Sequence, residues 1–375
     1  MSTFITKLDA TGDGPRVAVK DIIDVAGVPT TAGCRAIERR AVPAARDAAC
    51  LAGTRAAGAR IVGKANLHEL AMLPIGWNPW FGSPVNPLDP ERIPGGSSSG
   101  SAVAVANGDA DVAFGSDTGG SVRVPSAFCG TAGLKTTHGR VALDGVYPLA
   151  PSLDTIGPMA TTVAGLTLGM QLLEPGFRPA PAAAGVVGRV RTAGDPVIED
   201  AIDAALRAAE LEIVDLAWEP FEIGTQCFVS IYAQEVWEVD HELLAAHPDD
   251  VGADCHGMLE VAEMFRPGID DARAACVAWR KQLADLFTRV ELLVLPTVPV
   301  FAHRLDAIDP ADLLSTVIEI TAHVALFNPP GNPCTAQPVP ARGSALPASL
   351  QLVGPTAGEE LLLTTAQRIE DATRV

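Results

Sequence analysis

Several features that would place this protein in a familiar class are missing from its 375 residues. The seven cysteines are odd in number, scattered and never arranged as C-x-x-C, which argues for free thiols in a reducing compartment and against a disulfide framework or a zinc site. The first residues, MSTFITKLDATGDG, lack the apolar stretch of a signal peptide, and no uncharged apolar run reaches about 18 residues. We therefore expect a cytoplasmic protein without membrane spans.

Basic clusters are missing as well. The chain carries 45 acidic and 27 basic residues, a formal net charge of −18, and no long lysine or arginine cluster. Because phosphate backbones and anionic lipids attract positive patches, we expect neither nucleic acid nor a membrane surface as a direct partner.

What is present is an apolar chain, 48% hydrophobic, with alternating strand and helix patterns. Residues 16–21, 60–64 and 111–115 are predicted as strands. Residues 46–59 have helical composition, and a further helix is predicted over Asn66–Met72. This alternation predicts an α/β sheet with helices on its faces. The length alone allows either several domains or one large α/β domain.

The serine-rich stretch GGSSSGS, residues 95–101, raises the question of a nucleophile. Residues 96–100 fit the G-x-S-x-G elbow, which would make Ser98 the nucleophile and require a later histidine such as His138 or His323. However, the elbow needs a strand directly before it, and PERIP precedes it instead. A phosphate loop is excluded because no G-K-[ST] follows the glycines. Taken alone, the stretch is typical of a flexible turn.

A second serine and a lysine change that assessment. Ser121 lies in GSDTGGSVRVP, 24 residues after Ser97, behind a predicted strand and two glycines. Glycines let backbone N–H groups converge on one point, where a developing oxyanion could be stabilised. Lys20 ends an apolar strand, and its amine would become a base if it were desolvated. A helix cap at Ser121 and a strand-end charge at Lys20 are the plain structural alternatives.

Together these segments resemble one known family. VAVKDIIDVAGVPTTAG, PGGSSSGSAVAVANG and GSDTGGSVRVPSAFCGTAGLKTTHGRV follow the pattern of the amidase signature family. ELLVLPTVPV and the later LFNPPGNPCTAQPVP and LPASLQLVG are similar to its C-terminal part. The resemblance spans nearly the whole chain and is weakest over residues 219–290.

The resemblance implies an α/β fold, with a mixed central β-sheet covered by helices on both faces. It implies one amidase domain over residues 1–375, whose catalytic core comprises about residues 14–170 and 290–375. The divergent segment at 219–290 is expected to be mostly helical and to lie on the substrate side.

The resemblance also implies a Ser-cisSer-Lys triad. In this sequence Ser121 matches the nucleophile, Ser97 the bridging serine and Lys20 the base. The implied oxyanion hole is formed by the backbone N–H groups of Thr118, Gly119, Gly120 and Ser121. The implied supporting residues are Ser98, Asp117 and Arg123.

The implied activity is hydrolysis of a small-molecule carboxylic amide to an acid and ammonia or an amine, through an acyl-enzyme and without a metal or cofactor. An ammonia-supplying amidase subunit of a tRNA-dependent amidotransferase is the alternative, and hydrazide, ureido and ester substrates stay open. A non-catalytic relative is disfavoured because all three triad positions are filled. A homodimer is left open, although only 19 residues precede Lys20 and many relatives have N-terminal helices there.

Two finer expectations concern single residues. Ser99 stands where the family often has glycine, and GGSSSGSAVAVA resembles the variant in indole-3-acetamide hydrolase-like members. His68 is expected to be a packed or surface residue, and His138 to make a loop hydrogen bond. Four tryptophans are candidates either for an acyl pocket or for ordinary core packing: Trp77, Trp80, Trp237 and Trp279.

Overall fold

The protein is described by a computed structural model over residues 2–216 and 221–374, without the side chains of residues 221 and 222. Within these residues the strands are β1 (Phe4–Lys7), β2 (Arg16–Lys20), β3 (Arg60–Ala65), β4 (Val112–Asp117), β5 (Ala132–Lys135), β6 (Thr155–Ala160), β7 (Val186–Val190), β8 (Glu212–Leu216), β9 (Leu292–Pro296), β10 (Cys334–Val339) and β11 (Ala348–Val353).

The helices of the same residues are α1 (Arg35–Glu38), α2 (Ala52–Ala56), α3 (Ser99–Ala106), α4 (Arg123–Cys129), α5 (Val163–Leu173), α6 (Pro196–Ala208), α7 (Phe221–Ala246), α8 (Ala253–Phe265), α9 (Ile269–Leu286), α10 (Leu313–Thr321) and α11 (Glu359–Thr373). Among the described helices, none combines the length and the apolar character that crossing a bilayer requires.

All the strands join one mixed sheet in the order β1-β3-β2-β4-β6-β5-β10-β11-β9-β7-β8. The β2–β3, β2–β4, β7–β8 and β7–β9 pairs are parallel, and the other pairs are antiparallel. The predicted α/β fold with a mixed central sheet in a single large domain is therefore confirmed.

Both faces of the sheet are covered by packed side chains. Successive residues of a strand point to opposite faces, so neighbouring residues of β4 show the packing on each side. In β4, Val112 and Phe114 belong to one buried cluster together with Leu172 of α5. Ala113, between them, packs instead in a cluster with Ala102 of α3. The first part of the strand, Val112–Phe114, is apolar because neither of its faces meets water.

The helix predicted over Asn66–Met72 is wrong. Only a three-residue 3₁₀ turn over Glu69–Ala71 forms there, and Leu70 and Ala71 adopt φ angles of +54° and +59°. The physical reason is that backbone N–H groups of this segment bond to other parts of the chain: His68 donates to the carbonyl of Ser97, and Leu70 to that of Ala32. Similarly, only residues 52–56 of the predicted 46–59 helix are α-helical.

Three helices, α7, α8 and α9, occupy most of residues 221–286, and α7 packs on both α8 and α9. Residues 219 and 220, with which the predicted divergent segment begins, lie outside the described residues. Trp279 of α9 is fully buried and donates its indole N–H to the carbonyl of Leu326 at 2.8 Å.

The β5–β6 junction generates a prediction about stability. A Cβ at Gly157 of β6 would lie 1.8 Å from the backbone oxygen of Leu134. Since backbone cannot move aside cheaply, we expect Gly157→Ala to lower the free energy of unfolding by about 2 kcal/mol or more. Gly257→Ala is the control, because a Cβ there meets nothing within 4 Å on helix α8, and it should stabilise by about 0.5–1 kcal/mol. Urea unfolding measures both; equal effects would contradict the close packing at this junction.

Candidate active site

Lys20 lies at the carboxyl edge of the sheet because it is the last residue of β2. The parallel register pairs Val19 with Phe114, so Lys20 comes level with the end of β4. There its Nζ bonds to the hydroxyl of Ser116 at 2.8 Å. Its side chain is 0% exposed.

The second partner of Lys20 is Ser97, whose Oγ lies 2.7 Å from Nζ. Ser97 immediately precedes Ser98, the N-cap residue of α3, and follows a cis Gly96–Ser97 peptide bond. Its carbonyl accepts the backbone N–H of His68 at 3.0 Å. The fold thus brings the predicted base and the predicted bridging serine, 77 residues apart in the chain, into direct contact.

Burial lowers the pKa of Lys20 to about 7, although the nearby carboxylates of Asp154 and Asp117 act in the opposite direction. Among the described residues, no carboxylate lies within ion-pairing distance of its Nζ. At neutral pH a large fraction of this amine is therefore uncharged and able to accept a proton.

Ser121 follows β4 and lies just before helix α4, and it is 8% exposed. Its carbonyl accepts the backbone N–H of Ser98 at 3.1 Å, which ties the second serine motif to the first. The Ser98 hydroxyl donates to the carbonyl of Ser116 at 3.2 Å and so holds the two segments together a second time.

Asp117 organises the loop between β4 and α4. Its carboxylate accepts the backbone N–H groups of Gly120 at 2.9 Å and Val122 at 3.2 Å. Burial would raise the pKa of Asp117, but the Arg123 guanidinium, bonded to both carboxylate oxygens at 2.9 and 2.8 Å, holds it well below its usual range. The loop is therefore wrapped around a buried ion pair.

This arrangement distinguishes the predicted oxyanion donors by whether their backbone N–H is already bonded to Asp117. The Gly120 N–H is directed at Asp117, whereas the N–H groups of Thr118, Gly119 and Ser121 are not among the donors to that carboxylate. A Cβ at Gly119 would lie 2.5 Å from the ring of Phe228, so this position has no room for a side chain.

Arg123 extends the network beyond the loop. Its guanidinium also donates to the carbonyl of Val324 at 2.9 Å, to Gln351 at 2.8 Å and to Asn328 at 2.7 Å. The Asn328 amide in turn donates to Asp117 at 2.9 Å. The loop is therefore braced by the C-terminal part of the chain.

Sequence reasoning missed two polar residues of this site. Ser116, the second partner of Lys20, stands inside the GSDTGGS motif, so a closer inspection of that motif could have found it. Asp154 follows no recognisable pattern; its carboxylate accepts the Thr118 hydroxyl at 2.5 Å and the backbone N–H of Leu149 at 2.9 Å. Burial raises the pKa of Asp154.

A pocket of about 50 Å³ opens beside Ser121, and its lining includes Thr118, Gly119, Leu149 and Phe228. None of the four candidate tryptophans is among its described lining residues. Each of them has other surroundings: Trp279 is buried in the core, Trp80 donates to Glu69 at 2.7 Å, and Trp237 stacks on His241. Trp77 lines a neighbouring groove of about 580 Å³, which shares Met258 and Val317 with this pocket.

The histidines do not form a charge relay with Ser98. The ring of His138 lies 3.2 Å from the carbonyl of Pro151, which is the expected loop hydrogen bond. His323 is buried against the carbonyl of Pro296 at 3.2 Å, and burial lowers its pKa to about 4. The elbow interpretation therefore finds no histidine partner at either candidate.

His68 is a packed residue, with Nε2 at 3.2 Å from Asp254. Together with Cys255, these two side chains place possible ligand atoms within 4.8 Å of one another, the one such group among the described residues. The thiol of Cys255 also contacts the Glu69 carbonyl at 3.6 Å. We therefore interpret the three side chains as packing contacts at the start of α8.

Fold and site together define an α/β enzyme with a buried lysine and two serines at the carboxyl edge of its sheet. Comparison with known proteins identifies the family: the family model "Amidase" matches residues 13–194 and 200–363. The chain belongs to the amidase family, and it is a hydrolase of amide C–N bonds.

Individual relatives cover almost the same length. The chain is 33% identical to a glutamyl-tRNA(Gln) amidotransferase subunit of Halobacterium salinarum, over 99% of each chain. It is 32% identical to the AtzE subunit of 1-carboxybiuret hydrolase from a Pseudomonas strain, over 94% of this chain and 83% of that protein. A crystal structure of an amidase superposes with a TM-score of 0.86 at 29% identity, covering 96% of this chain and 85% of that one.

The buried ion pair yields a prediction. Arg123→Met leaves the Asp117 carboxylate buried without its cation, so we expect the free energy of unfolding to fall by about 3–5 kcal/mol. Arg55→Met is the matched control, because Arg55 pairs with Asp47 at the surface, where an ion pair contributes about 1 kcal/mol or less. Urea unfolding compares the two; a similarly small loss in both variants would contradict the bracing role of Arg123.

Proposed function

We propose that the protein hydrolyses carboxylic amides through a Ser121–Ser97–Lys20 triad. The observation that carries the proposal is the 2.7 Å contact between Lys20 Nζ and Ser97 Oγ, made by an amine that is fully buried and has a pKa of about 7. A serine hydroxyl is a poor nucleophile at neutral pH and needs such a base.

In the acylation half, Ser121 Oγ attacks the amide carbonyl and gives its proton to Ser97, which passes its own proton to the neutral amine of Lys20. The carbonyl oxygen becomes an oxyanion, for which the N–H groups of Gly119 and Ser121, with that of Thr118, are the proposed donors. One such donor typically contributes about 3–4 kcal/mol to the transition state.

Collapse of the tetrahedral intermediate breaks the C–N bond. Ser97 protonates the departing amine and recovers a proton from Lys20, which restores the neutral base. Water then attacks the acyl-enzyme ester and gives a proton to the same relay, which passes it to Ser121 Oγ as the bond from the acyl carbon to Oγ breaks and the acid leaves. Asp117 and Arg123 take no proton in this scheme; they hold the loop in shape.

The amidotransferase subunit is the second candidate, and the name of the Halobacterium relative favours it. In that case the same triad would release ammonia from an amide for a partner protein.

The Ser99 variant favours a third and narrower assignment, an indole-3-acetamide hydrolase-like amidase. Ureido, hydrazide and ester substrates would use the same chemistry. Ser99 itself is buried at the start of α3.

We further propose that the protein works in the cytoplasm. All seven cysteines are free and buried, which suits a reducing compartment. The catalytic core would comprise about residues 14–170 and 290–375, and the helices of the 219–290 segment would shape the substrate side.

The nucleophile assignment predicts that Ser121→Ala abolishes ammonia release by the purified chain, because the substitution removes the attacking hydroxyl. An amide panel containing hexanamide, indole-3-acetamide and glutamine, followed by an ammonia assay, measures this. Ser126→Ala is the control: it is the same change in helix α4, and full activity is expected. Full activity of Ser121→Ala would refute the assignment, and turnover of simple amides by the chain alone would exclude an obligate subunit.

The base assignment predicts a pH dependence. Lys20 must be neutral to accept a proton, so kcat/KM should rise about tenfold per pH unit below pH 7 and level off above it. Lys20→Met should remove activity over the whole range, because Ser97 then loses the amine that takes its proton. A rate that keeps rising to about pH 10, the pKa of a free lysine, would contradict a desolvated base.

A further inference from the structure

The space in front of Ser121 continues into a larger cavity. The pocket beside Ser121 and a second cavity of about 360 Å³ share five lining residues: Phe228, Tyr232, Met258, Val317 and Thr321. We call this combined space the acyl channel. The walls of its outer part come from helices α7, α8 and α10, so it leads away from the nucleophile between these helices.

The acyl channel carries no charged side chain along its described lining. Beyond the shared residues, the outer part is lined by aliphatic and aromatic side chains, among them Val229, Val261, Phe265, Leu314 and Ile318, with Thr225 as its one further polar residue. The inner part adds Ala71, Met72, Pro74 and Leu149 to the residues of the loop around Ser121.

The few polar groups of the shared wall are already bonded within the protein. The Tyr232 hydroxyl donates to the carbonyl of Met72 at 2.6 Å, and the Thr321 hydroxyl donates to the carbonyl of Val317 at 2.7 Å. A charged group of a substrate would therefore enter this channel without a counter-ion and would lose its hydration.

The outer end of the channel is also apolar. Phe265, Leu314 and Ile318 are 46%, 37% and 58% exposed, although each lines the cavity. Large apolar side chains that both line a cavity and meet solvent mark its mouth, and an exposed apolar patch is a common feature of binding sites. An extended apolar chain could thus reach from Ser121 to the surface without passing a polar wall.

From this geometry we propose that the substrates are amides with an uncharged, elongated apolar acyl group, which lies in the acyl channel with its far end at Phe265, Leu314 and Ile318. The inference rests on the proposed function, since it takes Ser121 as the attacking residue. It argues against glutamine as the amide, because the charged ammonium and carboxylate of glutamine would face this lining.

The first test compares amides of matched length. The purified protein is assayed with hexanamide and with adipamate, in which a carboxylate replaces the terminal methyl group, and with glutamine. We expect kcat/KM for hexanamide to exceed that for either charged amide by about 100-fold or more, because the charge would be buried unpaired. Equal or better turnover of adipamate or glutamine would overturn the inference and leave the triad intact.

The second test addresses the length of the channel. We expect kcat/KM to rise by about 100-fold or more from butanamide to decanamide, since each buried methylene adds to binding. Ile318→Asp should lower the ratio of the decanamide value to the butanamide value about tenfold, because only the longer chain reaches the mouth. Val277→Asp is the control, a surface valine that is 67% exposed and outside the channel. Equal effects of the two variants, or a butanamide value that falls equally, would contradict the proposed path.

A binding measurement separates this inference from the proposed catalytic function. The Ser121→Ala variant is titrated calorimetrically with hexanamide, decanamide and adipamate. Tighter binding of the apolar amides supports the acyl channel even if the wild-type protein turns over none of them, in which case the proposed hydrolysis fails. Tighter binding of adipamate overturns the acyl channel whatever the activity.

Discussion

The site depends on one constraint: Lys20 is held away from water between two serine hydroxyls. An amine in that position, at 2.7 Å from Ser97 and 2.8 Å from Ser116, can give up its charge at a pH where a free lysine cannot. The buried carboxylates of Asp117 and Asp154 lie close enough to influence it and oppose this effect. Asp117 is largely neutralised by Arg123, so desolvation dominates at Lys20.

The fold produces this constraint with two devices. Parallel pairing of β2 with β4 places Lys20 at the carboxyl edge, where the loop to α4 begins. That loop is then fixed by the Asp117–Arg123 ion pair, whose outer hydrogen bonds reach Asn328 and Gln351 near the C-terminal strands. Residues from widely separated parts of the chain therefore shape one site, because the single large sheet brings their segments together. The helices α7, α8 and α10 then add an apolar wall beside the polar site around Lys20 and Asp117.

Much of this could be predicted from the sequence. The VAVKD strand, the GGSSSGS stretch and the GSDTGGS loop identified Lys20, Ser97 and Ser121 as candidates, and the alternation of apolar segments identified the α/β class. Asp154 could not be predicted, because a single aspartate in PSLD contacts Thr118 only through the antiparallel pairing of β6 with β4. The helix expected over Asn66–Met72 failed for a related reason: tertiary hydrogen bonds to Ala32 and Ser97 took the backbone donors that a helix would have used. The channel wall could not be predicted either, since Phe228, Met258 and Val317 are far apart in the sequence and come together only in the folded chain.

The most direct measurement is the titration of Lys20 itself. The sequence contains five lysines, so NMR of the protein labelled with ¹³C at lysine Cε gives few signals, and the Lys20→Met spectrum assigns the relevant one. The Lys135 signal, whose pKa burial lowers to about 8, is assigned in the same way with Lys135→Met. The account predicts that the Lys20 signal titrates near pH 7. A Lys20 signal that stays in its charged form up to about pH 10 would contradict the account, because the proposed base would then have no free electron pair at neutral pH.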